Sequence, residues 1–122
     1  MAKVLIVDDS LFQRRIIRRI LQKAQHDVEE ASSGQQGLEM VRSVAPDCII
    51  LDILMPDVDG LSFLKTLQDQ GDTTPVIVLT ADIQETTRQE CIAYGAKEVL
   101  HKPLAPGDSD TLRHLIHDIL QS

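Results

Sequence analysis

The stretch that decides the fold is CIILDILMP, residues 48–56, in the middle of the chain. Its apolar run, residues 48–51, ends on an acid, Asp52. An apolar run without polar alternation is typical of a strand covered on both faces, as in a parallel sheet. Three other runs end similarly: Asp8 follows residues 4–7, Thr80 follows residues 76–79, and Lys102 comes two residues after Val99-Leu100. Ligands of open parallel sheets bind outside the carboxyl ends of the strands, so these side chains are expected to converge.

The rest of the chain alternates strand and helix five times. Strands are expected near residues 3–7, 27–31, 48–52, 76–79 and 98–101, and apolar residues recur at helical spacing after the first, second, third and fifth of them. Three serines are placed to cap helices one, two and five: Ser10, Ser33 and Ser109. The pattern predicts a single α/β domain over residues 1–122, with a doubly wound parallel sheet and helices on both faces.

Composition excludes several classes of function. The net charge of −7 argues against direct nucleic-acid binding, and the 2% aromatic content disfavours cofactors that need aromatic stacking. No apolar run approaches the ~20 residues that span a bilayer, and no signal-peptide pattern follows Met1, so a cytoplasmic protein without a membrane partner is expected. Cys48 and Cys91 are expected to be buried free thiols.

The acids at the predicted strand ends require compensation. Two like charges ~4 Å apart repel by roughly 4 kcal/mol at an effective dielectric of about 20, so Asp8, Asp9 and Asp52 need protons or a cation between them. A few carboxylates with places left for water suit Mg²⁺ better than zinc. Lys102 supplies a second cation. A carboxylate between two cations is a candidate nucleophile toward phosphorus, since both neutralise phosphoryl oxygens.

Taken together, these motifs resemble the receiver domain of bacterial response regulators across the whole chain. The residues that carry the resemblance are Val-Asp-Asp at 7–9, DILMPDVDG at 52–60, Leu-Thr-Ala at 79–81 and Lys-Pro at 102–103. The resemblance implies a flavodoxin-like five-stranded sheet in the order 2-1-3-4-5 with five helices. It also implies a switch, rather than a turnover enzyme, that accepts a phosphoryl group from a histidine kinase or a histidine phosphotransfer protein.

The resemblance assigns roles to individual residues. Asp52 becomes the phosphoacceptor, and Asp8, Asp9 and Asp52 become the Mg²⁺ carboxylates, with the backbone carbonyl of Leu54 as a further ligand. Thr80 becomes the switch hydroxyl and Lys102 the cation that pairs with the phosphoryl group. The resemblance also implies a cis Lys102–Pro103 bond. A stand-alone receiver with an unknown downstream protein target is expected.

One position departs from the family pattern. Receivers often carry a Tyr or Phe three residues before the lysine, and here that residue is Val99. If Lys102 points into the site, the period of two along a strand turns Leu100 inward and Val99 and His101 outward. The output face implied by the resemblance is helix four, strand five and helix five, which includes Val99 and His101.

Other interpretations stay open at this point. Asp57 and Asp59 could form the nucleophile motif of a Mg²⁺-dependent aspartyl-phosphate phosphatase, or they could be loop acids that cap a helix. A flavin or nucleotide carrier and a non-phosphorylated interaction module of receiver shape are further alternatives. The first helix also carries a stripe of arginines opposite its isoleucines, which is either a solvated face or a docking surface for an acidic partner: Arg14, Arg15, Arg18 and Arg19.

Overall fold

Five strands and five helices alternate along the chain. The computed structural model describes residues 2–102 and 108–121. The elements are β1 (Lys3–Val7), α1 (Leu11–Lys23), β2 (Asp27–Ala31), α2 (Gly34–Val44), β3 (Cys48–Leu51), α3 (Gly60–Asp69), β4 (Val76–Thr80), α4 (Glu85–Ala93), β5 (Glu98–His101) and α5 (Asp108–Gln121). The strands form one parallel sheet in the order β2-β1-β3-β4-β5. The predicted fold class and strand order are confirmed.

Both faces of the sheet are covered, which explains why β1, β3 and β4 read as continuous apolar runs. One core lies on the side of α2, α3 and α4, and it includes Val41, Phe63 and Cys91. The other lies on the side of α1 and α5, and it includes Ile17 and Leu112. Each central strand sends alternate side chains into the two cores, so residues 4–7, 48–51 and 76–79 are apolar without interruption.

Two of the three predicted serine caps are confirmed. Ser10 Oγ accepts a hydrogen bond from the N–H of Gln13, and Ser33 Oγ accepts one from the N–H of Gln36. The prediction for Ser109 is wrong because α5 begins at Asp108, which places Ser109 inside the helix. A capping residue must precede the first helical residue, with a non-helical backbone.

The prediction that Val99 faces outward is also wrong. Val99 is 6% exposed and packs in the core that contains Cys91, whereas Leu100 packs against the core on the side of α5. Although β5 is an edge strand, helices cover both of its faces. Successive side chains of β5 therefore point towards the helices on one face of the sheet and then towards those on the other, not alternately into the core and into solvent. His101, at the end of the strand, is exposed as predicted.

Cys48 and Cys91 are both buried free thiols, as expected. Burial raises the pKa of the Cys48 thiol to about 12. None of the helices in the described part of the chain has the length and apolar content that crossing a bilayer requires.

Candidate functional site

The predicted site residues meet at the carboxyl edge of the sheet. Asp8 follows β1, Asp52 follows β3, and one carboxylate oxygen from each of Asp8, Asp9 and Asp52 lies within 4.8 Å of the others. Asp8 and Asp52 are 2% and 5% exposed, whereas Asp9 is exposed. The cluster therefore consists of two buried carboxylates and a third that is open to solvent.

Lys102 closes the cluster from the side of β5. Its Nζ lies 2.6 Å from Asp8 Oδ2 and 3.1 Å from Asp52 Oδ2, so a single ammonium bridges two buried carboxylates. The backbone N–H of Lys102 donates to the carbonyl of Thr80 at 2.8 Å, which ties the residue to the end of β4. The predicted convergence of Asp8, Asp9, Asp52 and Lys102 is thus seen directly.

Burial and charge oppose one another at these groups. Burial raises the pKa of the Asp52 carboxyl, and the charge of Asp8 raises it further, against the lowering by the Leu54 N–H and by Lys102. Burial by itself lowers the pKa of Lys102, but its bonds to the two carboxylates outweigh that and leave the pKa above its ordinary value. Lys102 is therefore a firmly charged cation beside a carboxylate that lacks full solvation.

Thr80 is the last residue of β4, the strand next to β3, and it is fully buried. Its Oγ1 accepts a hydrogen bond from the N–H of Asp82 at 3.2 Å. A hydroxyl that accepts one bond still has its own O–H to donate. The Thr80 hydroxyl can therefore donate a hydrogen bond to an acceptor at the sheet edge.

The loop after Asp52 is hydrogen-bonded to the Asp52 carboxylate. The N–H of Leu54 donates to Asp52 Oδ1 at 3.1 Å, while the Leu54 side chain is 54% exposed. The role of the Leu54 carbonyl as a metal ligand stays a prediction. The predicted cis bond before Pro103 lies outside the described residues.

Asp57 and Asp59 cap helices and do not join the acid cluster. Asp57 accepts from the N–H groups of Gly34 and Gln35 at the start of α2, at 3.1 and 3.0 Å, and Asp59 accepts from the N–H of Ser62 in α3. These bonds lower the pKa of Asp57. The capping interpretation is confirmed. Because neither acid belongs to the cluster of Asp8, Asp9 and Asp52, the geometry does not favour the phosphatase interpretation.

Sequence reasoning missed two supports of Asp8. The N–H of Ser10 donates to Asp8 Oδ1 at 2.9 Å, and Arg14 Nη1 donates to the Asp8 carbonyl at 2.7 Å. Arg14 and Arg18 also form ion pairs with Glu30 on β2, so this half of the arginine stripe is not a freely solvated face. The stripe of arginines on α1 was visible in the sequence, but nothing in the sequence indicated that its partner would be an acid on β2.

Comparison with known proteins places this geometry in a family. The family model described as the response regulator receiver domain matches residues 4–117. Two relatives named response regulator MprA are similar over 103 residues, 84% of this chain: that of Mycolicibacterium vanbaalenii is 37% identical and that of Mycobacterium ulcerans is 39% identical. The chain spans less than half of their length, 45% and 44% respectively.

Solved structures agree in fold over nearly the whole chain. The receiver domain of the Francisella response regulator 1452 has a TM-score of 0.91 at 29% identity and covers 99% of this chain and 98% of its own. The Vibrio cholerae chemotaxis protein CheY4 has a TM-score of 0.88 at 35% identity, with coverage of 98% and 99%. With the family match over residues 4–117, these similarities show that the chain belongs to the response regulator receiver family.

Proposed function

We propose that the chain is a phosphorylation-dependent switch in which Asp52 accepts a phosphoryl group from a histidine kinase or a histidine phosphotransfer protein. The observation that carries the proposal is the setting of Asp52. It is a buried carboxylate, its Oδ2 lies 3.1 Å from the Lys102 ammonium, and two further acids adjoin it. Family membership supports a donor of the histidine kinase class.

The donor set fits Mg²⁺. Asp8, Asp9 and Asp52 offer carboxylate oxygens only, and the exposed side at Asp9 leaves room for the waters that Mg²⁺ keeps. These three residues would hold the ion, with the Leu54 carbonyl as a further proposed ligand. Bound there, Mg²⁺ supplies positive charge to the oxygens of the transferred phosphoryl group.

In the transfer, an Asp52 oxygen attacks phosphorus. A P–O bond forms while the P–N bond to the donor imidazole breaks, and the imidazole leaves with the bonding electrons and takes up a proton from solvent. Lys102 pairs with the phosphoryl oxygens, and the Thr80 hydroxyl donates a hydrogen bond to one of them. Positioning and charge neutralisation carry such a transfer, so these side chains need no proton-transfer role.

Phosphorylation would add about one negative charge and new acceptor oxygens beside Lys102 and Thr80. Movement of Thr80 would pass to β5 through the backbone, because Thr80 pairs in register with His101 and its carbonyl accepts from Lys102. We propose that α4, β5 and α5 form the output face, with His101 exposed on it and Val99 reporting through core packing.

The same proposal covers the remaining properties. The chain acts as a switch rather than as a turnover enzyme, and it works in the cytoplasm, where the kinase would present its phosphohistidine. The expectation of a stand-alone receiver stays a prediction, and the downstream target is a protein.

The decisive experiment is intact mass after incubation with a small phosphodonor, with Mg²⁺ or with a chelator. We expect wild type to gain one phosphoryl group only with Mg²⁺, and Asp52→Asn to gain none. Asp59→Asn is the matched control, because Asp59 is an acid of the same loop that caps α3 outside the cluster. Absence of an adduct in wild type, with a donor proven on another receiver, would contradict the proposal.

The switch has a separate test. We expect backbone amide signals of His101 and its neighbours in β5 to shift when a phosphoryl mimic binds to wild type, and to stay in place in Thr80→Ala. Shifts confined to the acid cluster would refute the proposed output face.

A further inference from the structure

Asp8 is held at each of its four polar atoms. Its N–H donates to the carbonyl of Ala31, its carbonyl accepts from Arg14, its Oδ1 accepts from the N–H of Ser10, and its Oδ2 accepts from Lys102. Three of these bonds come from the backbone or from the proposed site. Arg14 is the exception, because it approaches Asp8 from α1 and from outside the acid cluster.

Arg14 connects Asp8 to β2. Its Nη1 lies 2.7 Å from the Asp8 carbonyl oxygen, and its Nε lies 3.0 Å from Glu30 Oε1. The Arg14 side chain is 12% exposed, so both bonds form largely out of water. A guanidinium makes two such bonds in fixed directions from one rigid plane, which the single ammonium of lysine does not.

The position is unfavourable for a cation. Arg14 N–H makes the first bond of α1, to the carbonyl of Ser10, so its side chain leaves the helix close to the positive end of the helix dipole. The first turn holds no acid, and Lys23 in the last turn already stands where a cation is favourable. Helix stability therefore does not account for Arg14, whereas its bonds to Asp8 and Glu30 do.

Arg18 provides an internal comparison. It lies one turn along the same row of α1 and also pairs with Glu30, but its bond to Glu30 leaves Asp8 untouched, and its side chain is 38% exposed. The two arginines thus share an acidic partner and differ in contact with Asp8.

We infer that Arg14 is a positioning residue that fixes the Asp8 backbone, and with it the Asp8 carboxylate, in the geometry that binds a divalent cation. Glu30 orients the guanidinium for this purpose. The inference rests on the proposed function in one respect only, the identity of the ion as Mg²⁺.

Positioning and bare electrostatics predict opposite results. Arg14 is a cation near a cation site, so by charge alone Arg14→Met would tighten Mg²⁺ binding and Arg14→Lys would leave it unchanged. Positioning predicts weaker binding in both variants, because neither methionine nor lysine reproduces the two bonds. Loss of a residue that orients a metal ligand typically costs about 10-fold to 100-fold in metal affinity, and we expect about 10-fold here.

The experiment measures the Mg²⁺ dissociation constant by titration calorimetry for wild type, Arg14→Met, Arg14→Lys and Arg18→Met, after thermal unfolding shows that each is folded. We expect a rise of about 10-fold for both Arg14 variants, and a change of less than about 2-fold for Arg18→Met. Unchanged or tighter binding in the Arg14 variants, or equal weakening in Arg18→Met, would overturn the inference.

A second readout needs no metal. Hydrogen exchange of the amides of Asp9 and Ser10, which follow the Asp8 carbonyl, should accelerate in Arg14→Lys relative to the amides of β1, and should not change in Arg18→Met. If wild type binds no Mg²⁺, the proposed function fails, and the exchange rates alone decide whether Arg14 fixes this backbone. Unchanged exchange in Arg14→Lys would refute the positioning role in either case.

Discussion

Gly60 begins α3 at a place where the backbone leaves no room for a side chain. A Cβ there would lie 2.5 Å from Ile53 Cα and 2.9 Å from the Asp52 carbonyl oxygen, both backbone atoms. It would also lie 2.4 Å from Ile53 Cδ1, which a change of rotamer could relieve. The N–H of Gly60 donates to the Ile53 carbonyl at 2.9 Å, so the two segments are already bonded at closest approach.

The change Gly60→Ala is expected to be costly for reasons of space. Carbon atoms in contact lie about 3.5–4.0 Å apart, so the Ile53 backbone would have to retreat by about 1 Å. Overpacking of this kind costs about 1–3 kcal/mol, and the upper end applies because the obstructing atoms belong to the backbone. A loss of about 3 kcal/mol lowers the melting temperature of a domain of this size by about 10 °C.

Thermal and urea unfolding, followed by far-ultraviolet circular dichroism, measure this loss. Gly71→Ala is the matched control, since nothing lies within 4 Å of its added Cβ and only its φ of +71° opposes the substitution. That strain costs about 1–2 kcal/mol. If Gly60→Ala proves no less stable than Gly71→Ala, the steric reasoning is refuted. Because the retreat displaces Asp52, we also expect slower phosphorylation of the folded fraction.

Three further predictions concern other parts of the molecule. Cys48 should resist alkylation at pH 8 until denaturant unfolds the chain, since burial raises its pKa to about 12, and intact mass reports the labelling. Asp57→Asn should lower the free energy of unfolding at neutral pH. Because the Asp57 pKa is depressed in the fold, its contribution is present above the ordinary value of 3.8 and disappears as pH falls through the lower folded value, so urea unfolding of the two proteins should converge in acid. Leu112→Ala should cost about 2–5 kcal/mol in the same assay, because Leu112 is fully buried between α5 and the sheet; a loss below about 1 kcal/mol would mean that α5 packs loosely.

The residues at the carboxyl edge of the sheet could be predicted because each is identified by the few residues that precede it in the sequence. An apolar run that ends on Asp8, Asp52 or Thr80 identifies both the strand and the residue that leaves it. Parallel strands place those ends together whatever the details of helix packing. The caps at Ser10 and Ser33 were predictable for the same reason, since a cap bonds to N–H groups only a few residues away.

Packing between distant segments decided the rest. Val99 is buried because α4 covers the face of β5 on which it lies, and the period of two along a strand does not say whether a face meets a helix or solvent. Asp57 caps α2, 22 and 23 residues away, and Arg14 reaches Glu30 across 16 residues. Such partners depend on how close α1, α2 and the loops approach after the sheet has formed. The sequence by itself determines the chemistry of each side chain and the direction of each strand. The distance between two remote segments is set only when both pack against the same sheet.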